Sequence, residues 1–175
     1  YRRAAASTAR NPAATAAMAG RSVTMALLVG ALYYDVGRDQ KSVASRTGAC
    51  FFVLTNQAFS AQASLRVFLE ERAVFEHERR RGAYRAWEYF ATKSCAELPY
   101  QLGGALVFVA LSYWLVGLRR DLAAGAAHAA AVALATLVAE SHVLLVGAAV
   151  PNERAAAVLC PITLALQLLF GGFFL

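Results

Sequence analysis

Residues 122–150 read LAAGAAHAAAVALATLVAESHVLLVGAAV, and this stretch decides the fold of the chain. Its 29 residues include a single charged side chain, that of Glu140. A helix needs about 20 consecutive apolar residues to cross about 30 Å of hydrocarbon. The stretch therefore predicts a helix that spans a membrane.

The composition of the whole chain agrees with a membrane protein. Of its 175 residues 59% are hydrophobic and only 16% are charged, whereas soluble domains are about 45–50% apolar and about 25% charged. The net charge of +6 does not indicate a nucleic-acid binder, because Glu residues interleave the main basic cluster and cancel most of its field. The three cysteines have neither metal-ligand nor redox spacing, so we predict no metal site.

Four further apolar runs accompany 122–150, and each is long enough to form a helix across a bilayer. The five runs are 13–36, 43–69, 87–118, 122–150 and 155–175. Buried helices of a soluble protein are the alternative, but five such runs with very short links fit that alternative poorly. We therefore predict an all-α, polytopic transmembrane helix bundle.

The positive charges predict how the bundle is oriented. Of the 17 Lys and Arg residues, 12 fall on one side of the predicted spans and 5 on the other, and the richer side is normally cytosolic. This places the N-terminus and residues 70–86 in the cytosol. We expect Gly37 and Gly117 to end helices as C-caps, and Asn152 to cap the last helix after Pro151.

The long cytosolic link carries a mixed charge block, FLEERAVFEHERRRGAYRAWEYF, at 68–90. Glu, Arg, Ala and Phe are acceptable to good helix formers, so we predict a short amphipathic helix at 71–79, outside the bilayer and ended by Gly82. A positive anchor would not need Glu70, Glu71, Glu76 and Glu78 among the basic residues. Charges of both signs suit a helix that docks on a polar cytosolic partner.

Ionisable residues at membrane depth face protein or water because an exposed charge there is costly. For Glu97 we expect a bond to backbone freed by Pro99, and for Glu140 and His142 polar neighbours near the cytosolic end of their run. A proton relay through Glu97, His128, Glu140 and His142 is the sharper alternative.

One helical face of the second run is aromatic with an amide at its middle. Phe52, Asn56, Phe59 and Ala63 follow the spacing i, i+4, i+7, i+11. Two interpretations stay open: Asn56 forms a hydrogen bond between helices, or the face lines a cavity for flat apolar ligands.

Several motifs in order resemble one known family. They are RNP at 10–12, GALYYDVG at 30–37, SRTGACFFVLTNQAFS at 45–60, FLEERAVFEHERRRGAYRAWEYFATKSCAELPY at 68–100 and GGFFL at 171–175. The chain resembles the ABC-2 type transmembrane domain of the ABCG (white/brown-complex, pleiotropic drug resistance) group of ATP-binding-cassette transporters, and the resemblance covers essentially all of it.

The resemblance implies about five of the six helices of such a domain plus a cytosolic amphipathic coupling helix. It implies that residues 1–175 are a domain incomplete at its C-terminal end. A nucleotide-binding domain of the same full-length chain would bind ATP and Mg²⁺. This chain itself has no ATPase motif and no catalytic residue. Domains of this group work as homo- or heterodimers and export lipids, sterols or amphipathic small molecules.

The resemblance also implies roles for individual residues. Asn56 and Phe59 would line a substrate cavity, with Phe52 and Thr55 beside them, and Phe173 and Phe174 would stand at a valve. The coupling element would comprise Glu71, Arg72, Phe75, Glu78, Arg79, Gly82, Tyr84 and Arg85.

Two rival functions remain at this point. A membrane scaffold that dimerises without transporting would need no motor domain upstream. An ion-driven secondary carrier would use Glu97 or Glu140 and would leave the charged block without a use.

Overall fold

The computed structural model describes residues 12–34, 36–37, 39–81, 85–118 and 121–173. Within them the chain forms six α-helices and no strand, which confirms the all-α prediction. The helices are α1 (Pro12–Leu32), α2 (Val43–Ser60), α3 (Gln62–Arg80), α4 (Ala86–Val116), α5 (Leu122–Ala149) and α6 (Glu153–Leu168). A 3-10 turn at Gln40–Ser42 precedes α2, and a π-helical turn at Leu169–Phe173 follows α6.

Three stretches of the described chain are long and apolar enough to cross a membrane. They are Trp87–Val116, Leu122–Ala149 and Glu153–Gly171, and a shorter apolar stretch lies at Ala16–Leu32. The outer face of the bundle is apolar as well, since Leu134, Val138 and Leu145 of α5 are each more than 60% exposed. An apolar exterior of this kind is what hydrocarbon requires of a spanning helix.

The second apolar run differs from its prediction. It is not one helix over 43–69 followed by a separate short helix at 71–79. Instead α2 ends at Ser60, Ala61 interrupts the helix, and α3 continues without a break to Arg80. The Ser60 hydroxyl donates to the Gln57 carbonyl oxygen at 2.9 Å, and such a side-chain bond competes with the helical ladder. The charged block is therefore the far end of a packed helix.

The ends of the other helices follow local chemistry. Gly117 ends α4 in the left-handed conformation at φ 71°, as predicted, and Asn152 caps α6 by accepting from the Arg154 amide at 3.0 Å. The prediction for Gly37 was wrong. Helix α1 already ends at Leu32, and Gly117 is the one glycine of the described residues with positive φ. Gly82 lies outside the described residues.

Two apolar clusters hold the helices together, with α5 contributing to both. The first joins α1, α2, α4 and α5 around Phe108, which is fully buried. The second joins α3, α5 and α6 around Val143 and Cys160. Helix α1 packs mainly along α4, and Gly30 allows a close approach there because a Cβ at its position would lie 2.6 Å from Leu115 Cβ.

Candidate functional site

A cavity of about 600 Å³ lies among α1, α2, α3, α4 and α5. This volume is within the range of small-molecule sites, about 300–1,000 Å³. Its apolar wall includes Met18, Val67 and Ala105. Its polar groups are Arg21, Ser22, Gln57, Ser60, Ser64, Glu71, Glu97, Tyr100, Gln101, Thr136 and Glu140. The cavity therefore combines apolar walls with acidic and amide groups within one chain.

A chain of polar side chains joins α2 and α3 to α5 at this cavity. Gln57 donates from Nε2 to Thr136 Oγ1 at 3.4 Å, and Ser64 donates to Glu140 Oε1 at 3.2 Å. Gln57, Thr136 and Glu140 are all buried. In a low-dielectric interior, buried polar groups are stable only when they are paired, so these contacts fix the register between the helices.

Glu140 is only partly satisfied by these contacts. It is 8% exposed, and no described residue donates a hydrogen bond to its Oε2 atom. The prediction that Glu140 meets polar neighbours is confirmed by Ser64.

Lys93 of α4 joins two carboxylates of different helices. Its ammonium group bonds Glu71 of α3 and lies 2.9 Å from Glu97 Oε1, one turn further along α4. The Lys93 side chain is 8% exposed, whereas Glu71 is 50% exposed. The expected bond from Glu97 to backbone freed by Pro99 is therefore replaced by an ion pair, which is the stronger contact for a carboxylate.

Arg72 joins α3 to the end of α5. Its Nη1 atom donates to the carbonyl oxygens of Gly147 at 3.0 Å and Val150 at 2.9 Å, and its Nε atom donates to Glu76 at 3.0 Å. The last carbonyls of a helix have no partner within the helix, and they carry the negative end of its dipole. The Arg72 guanidinium group supplies both the missing hydrogen-bond donors and a positive charge at the α5–α6 turn.

The charged end of α3 also contacts the start of α4. The rings of Phe75 and Tyr89 have centroids 4.5 Å apart, and the Tyr89 hydroxyl donates to Glu71 Oε2 at 3.1 Å. Arg85 N-caps α4, and its backbone amide donates to Glu88 at 2.9 Å. The charged end of α3 is thus attached to α4 as well as to α5.

Comparison with known proteins gives this arrangement a context. The whole chain, residues 1–175, matches the family described as ABC-2 type transporter. This chain belongs to the ABC-2 type transporter family. The resemblance drawn from the sequence motifs is confirmed, and the chain is a membrane domain of the ABC-transporter type.

Its relatives are transporters of the ABCG group. The broad substrate specificity ATP-binding cassette transporter ABCG2 of Bos taurus is 29% identical over 163 residues, which is 93% of this chain and 25% of the relative. Protein white of Drosophila melanogaster is 38% identical over 160 residues, 89% of this chain and 23% of the relative. The ABC transporter G family member 7 of Arabidopsis thaliana is 30% identical over 154 residues, 87% of this chain and 21% of the relative. The chain thus spans about a quarter of the length of these relatives.

The residues predicted for a substrate cavity lie elsewhere than the cavity inside this ABC-2 domain. None of Phe52, Thr55, Asn56 and Phe59 is among the described residues that line it. Phe52 is 47% exposed and Phe59 is 39% exposed, so their face of α2 lies on the outside of the helix bundle. Ala63 belongs to α3 and does line the cavity.

The hydrogen bond expected between helices is made by the neighbour of Asn56. Asn56 donates to the Gln57 side chain at 3.4 Å, and Gln57 reaches α5. Sequence reasoning missed Gln57, Lys93 and Ser64 as site residues. The signal available for Lys93 was its i, i+4 spacing to Glu97, which favours an ion pair on a helix.

The other residues predicted for the coupling element and the valve lie partly within and partly outside the described residues. Glu78 and Arg79 lie exposed on the last turn of α3. Phe173 is the last residue of the π-helical turn after α6. Tyr84 and Phe174, like Gly82, lie outside the described residues, so the valve and the end of the coupling element stay predictions.

Proposed function

We propose that this chain is the transmembrane part of an ATP-driven exporter of lipids, sterols or other amphipathic small molecules. A nucleotide-binding domain of the full-length protein would bind ATP with Mg²⁺ and supply the energy of hydrolysis. A second membrane domain, identical or related, would complete the transporter. The observation that carries this proposal is that the charged end of α3 is attached to both α4 and α5.

The contacts of α3 support a path for mechanical coupling. A partner that docks on the exposed residues around Glu78 and Arg79 can move α3. That movement reaches α5 through Arg72, which holds two carbonyls at the end of α5. It reaches α4 through the contact of Glu71 with Lys93. Both helices also line the cavity in the subunit, so a change at the charged end changes the interior.

The outer face of α2 supports a substrate cavity between two subunits. Phe52 and Phe59 are partly exposed, and Asn56 between them is half-buried. Two copies of this face would enclose aromatic walls with amide groups, which suits flat apolar ligands with one polar group. Thr55 lies beside this face, and Phe173 and Phe174 would stand at the exit.

The proposal also includes an orientation. The charged end of α3 and the N-terminus would face the cytosol, because the positive charges concentrate on that side. Helix α4 is longer than the hydrocarbon, because its 31 residues extend about 46 Å and the hydrocarbon is about 30 Å thick. The first turns of α4, which carry Lys93, would therefore lie at the cytosolic boundary.

Coupling is tested with Arg72→Ala in the full-length protein, reconstituted into liposomes. We expect ATP hydrolysis to continue while transport falls at least about tenfold, because α3 loses its bonds to α5. The matched control is Arg66→Ala. Arg66 lies on the same helix and pairs only with exposed Glu70 at 3.3 Å in the described structure, and such exposed pairs contribute little. Equal transport by both variants would contradict the coupling path.

Variants of the aromatic face of α2 test whether this face lines a substrate cavity, and unchanged substrate-stimulated ATP hydrolysis in them would contradict that assignment. Asn56→Ala and Phe59→Ala should each change substrate-stimulated ATP hydrolysis, whereas Leu134→Ala on the outer face of α5 should not. If no transport is found for the unaltered protein with any amphipathic substrate, the chain acts as a dimerising scaffold and the exporter proposal fails.

A further inference from the structure

The wall of this cavity carries more carboxylates than the cations of the described residues beside it. Its wall carries the carboxylates of Glu71, Glu97 and Glu140, and the cations beside them are Arg21 and Lys93. Lys93 is shared between Glu71 and Glu97. Three carboxylates and two cations leave one negative charge on this wall when all five groups are ionised.

Glu140 is the place where that charge is least satisfied. Its side chain is more than nine-tenths buried. Ser64 donates to Oε1, but Oε2 has no donor among the described residues. Arg21 of α1 also lines the cavity and is exposed, and it forms no ion pair with Glu140 among the described residues. Since burying an unpaired carboxylate is costly, the site favours a cation that enters the cavity.

The rest of the wall defines the shape and chemistry of that cation. A volume of about 600 Å³ exceeds what a bare metal ion needs and suits a small organic molecule. Met18, Val67 and Ala105 offer apolar contact, and Gln101 offers an amide carbonyl on the same wall. The torsion that turns a Glu carboxylate is soft, so Glu140 can present either oxygen to the cavity.

We infer that this cavity binds a hydrophobic amine, with its ammonium group on Glu140 and its apolar part against α1 and α4. An ammonium group has three donors, which Glu140 and the neighbouring carbonyl and hydroxyl oxygens can accept. This site is distinct from the proposed cavity between subunits, because all of its lining residues belong to helices of one chain. It can hold an effector, or a substrate on its way through the membrane domain.

The inference is tested by calorimetric titration of octylamine into the full-length protein in lipid nanodiscs, with empty nanodiscs subtracted. We expect saturable binding that octanol does not reproduce, and a dissociation constant at least about tenfold larger for Glu140→Gln, which keeps the shape but removes the charge. Glu153→Gln removes an exposed carboxylate at the start of α6 and should bind octylamine as the unaltered protein does.

Three further outcomes decide the inference. Unchanged octylamine binding by Glu140→Gln overturns the inference, and so does equal binding of octanol. Either result would mean that no charge on Glu140 is needed for binding. Saturation of the same site by sodium ions alone also overturns it in favour of an inorganic cation. If Glu140→Gln does not fold, Ala63→Leu provides a second test, because it narrows the cavity at an exposed position of α3. This variant should bind octylamine more weakly, and undiminished binding overturns the inference. None of these readouts requires transport, so a failure of the exporter proposal is separately visible.

Discussion

A methyl group added at Gly30 should separate α1 from α4. The Cβ of an alanine there would lie 2.6 Å from both Cβ and Cδ1 of Leu115, whereas carbon atoms in contact are about 3.5–4.0 Å apart. The overlap is therefore about 1 Å, and Cβ of Leu115 cannot rotate away because it is attached directly to the backbone. Either the helices move apart or the backbone distorts.

The magnitude follows from two opposing contributions. Overpacking in a well-packed core costs about 1–3 kcal/mol, and replacing Gly by Ala within a helix gains about 1 kcal/mol. Gly20→Ala on the same helix should gain stability without a steric cost, because nothing lies within 4 Å of its added Cβ. The difference in unfolding free energy between the two variants therefore isolates the steric cost, about 1–3 kcal/mol.

A third variant tests whether the neighbouring atom decides the result. At Gly104 the nearest atom is Met18 Cε at 3.0 Å, the end of a flexible side chain, so Gly104→Ala should be nearly neutral. The assay is the apparent melting temperature of each full-length variant in detergent, followed by size-exclusion chromatography. We expect Gly20→Ala to be the most stable variant and Gly30→Ala the least, by several degrees. Equal melting temperatures for these two variants would refute the close approach of α1 and α4.

Three further predictions concern stability and use the same assay. Lys93→Met should destabilise the protein by about 2 kcal/mol, because it leaves Glu71 and Glu97 without their cation, and Lys93→Arg should recover most of this loss; equal stability of the Met and Arg variants would contradict the ion pairs. Gly117→Ala should cost about 1 kcal/mol, since an alanine at φ 71° is strained, and no loss would show that α4 ends differently. Asn152→Ala should also cost about 1 kcal/mol through the lost N-cap, whereas Asn152→Asp should retain the cap.

The helices were predictable because hydropathy is a local property. The apolar runs at 87–118 and 122–150 correspond closely to α4 and α5. The interruption at Ala61 was not, because Ala is a good helix former and neither Gly nor Pro marks this position. Hydropathy also places the charged block outside the bilayer without showing that it continues a packed helix.

The site was less predictable because its contacts connect distant parts of the chain. Glu97 can be paired with Lys93 from their spacing on one helix, but Glu71 lies 22 residues from Lys93. Arg72 reaches a carbonyl 78 residues away. Such contacts depend on how helices pack, and a pattern along the sequence contains no direct sign of them.

The interruption at Ala61 gives α3 the geometry of a lever. The 19 residues of α3 extend about 28 Å, and Arg72 lies about 16 Å from Ala61 at 1.5 Å per residue. For a rotation of about 10° around Ala61, the end at Arg80 moves about 5 Å and Arg72 moves about 3 Å. A partner that docks on this end, as proposed, would therefore move further than α5, and the force at α5 would be larger in the inverse ratio of these displacements.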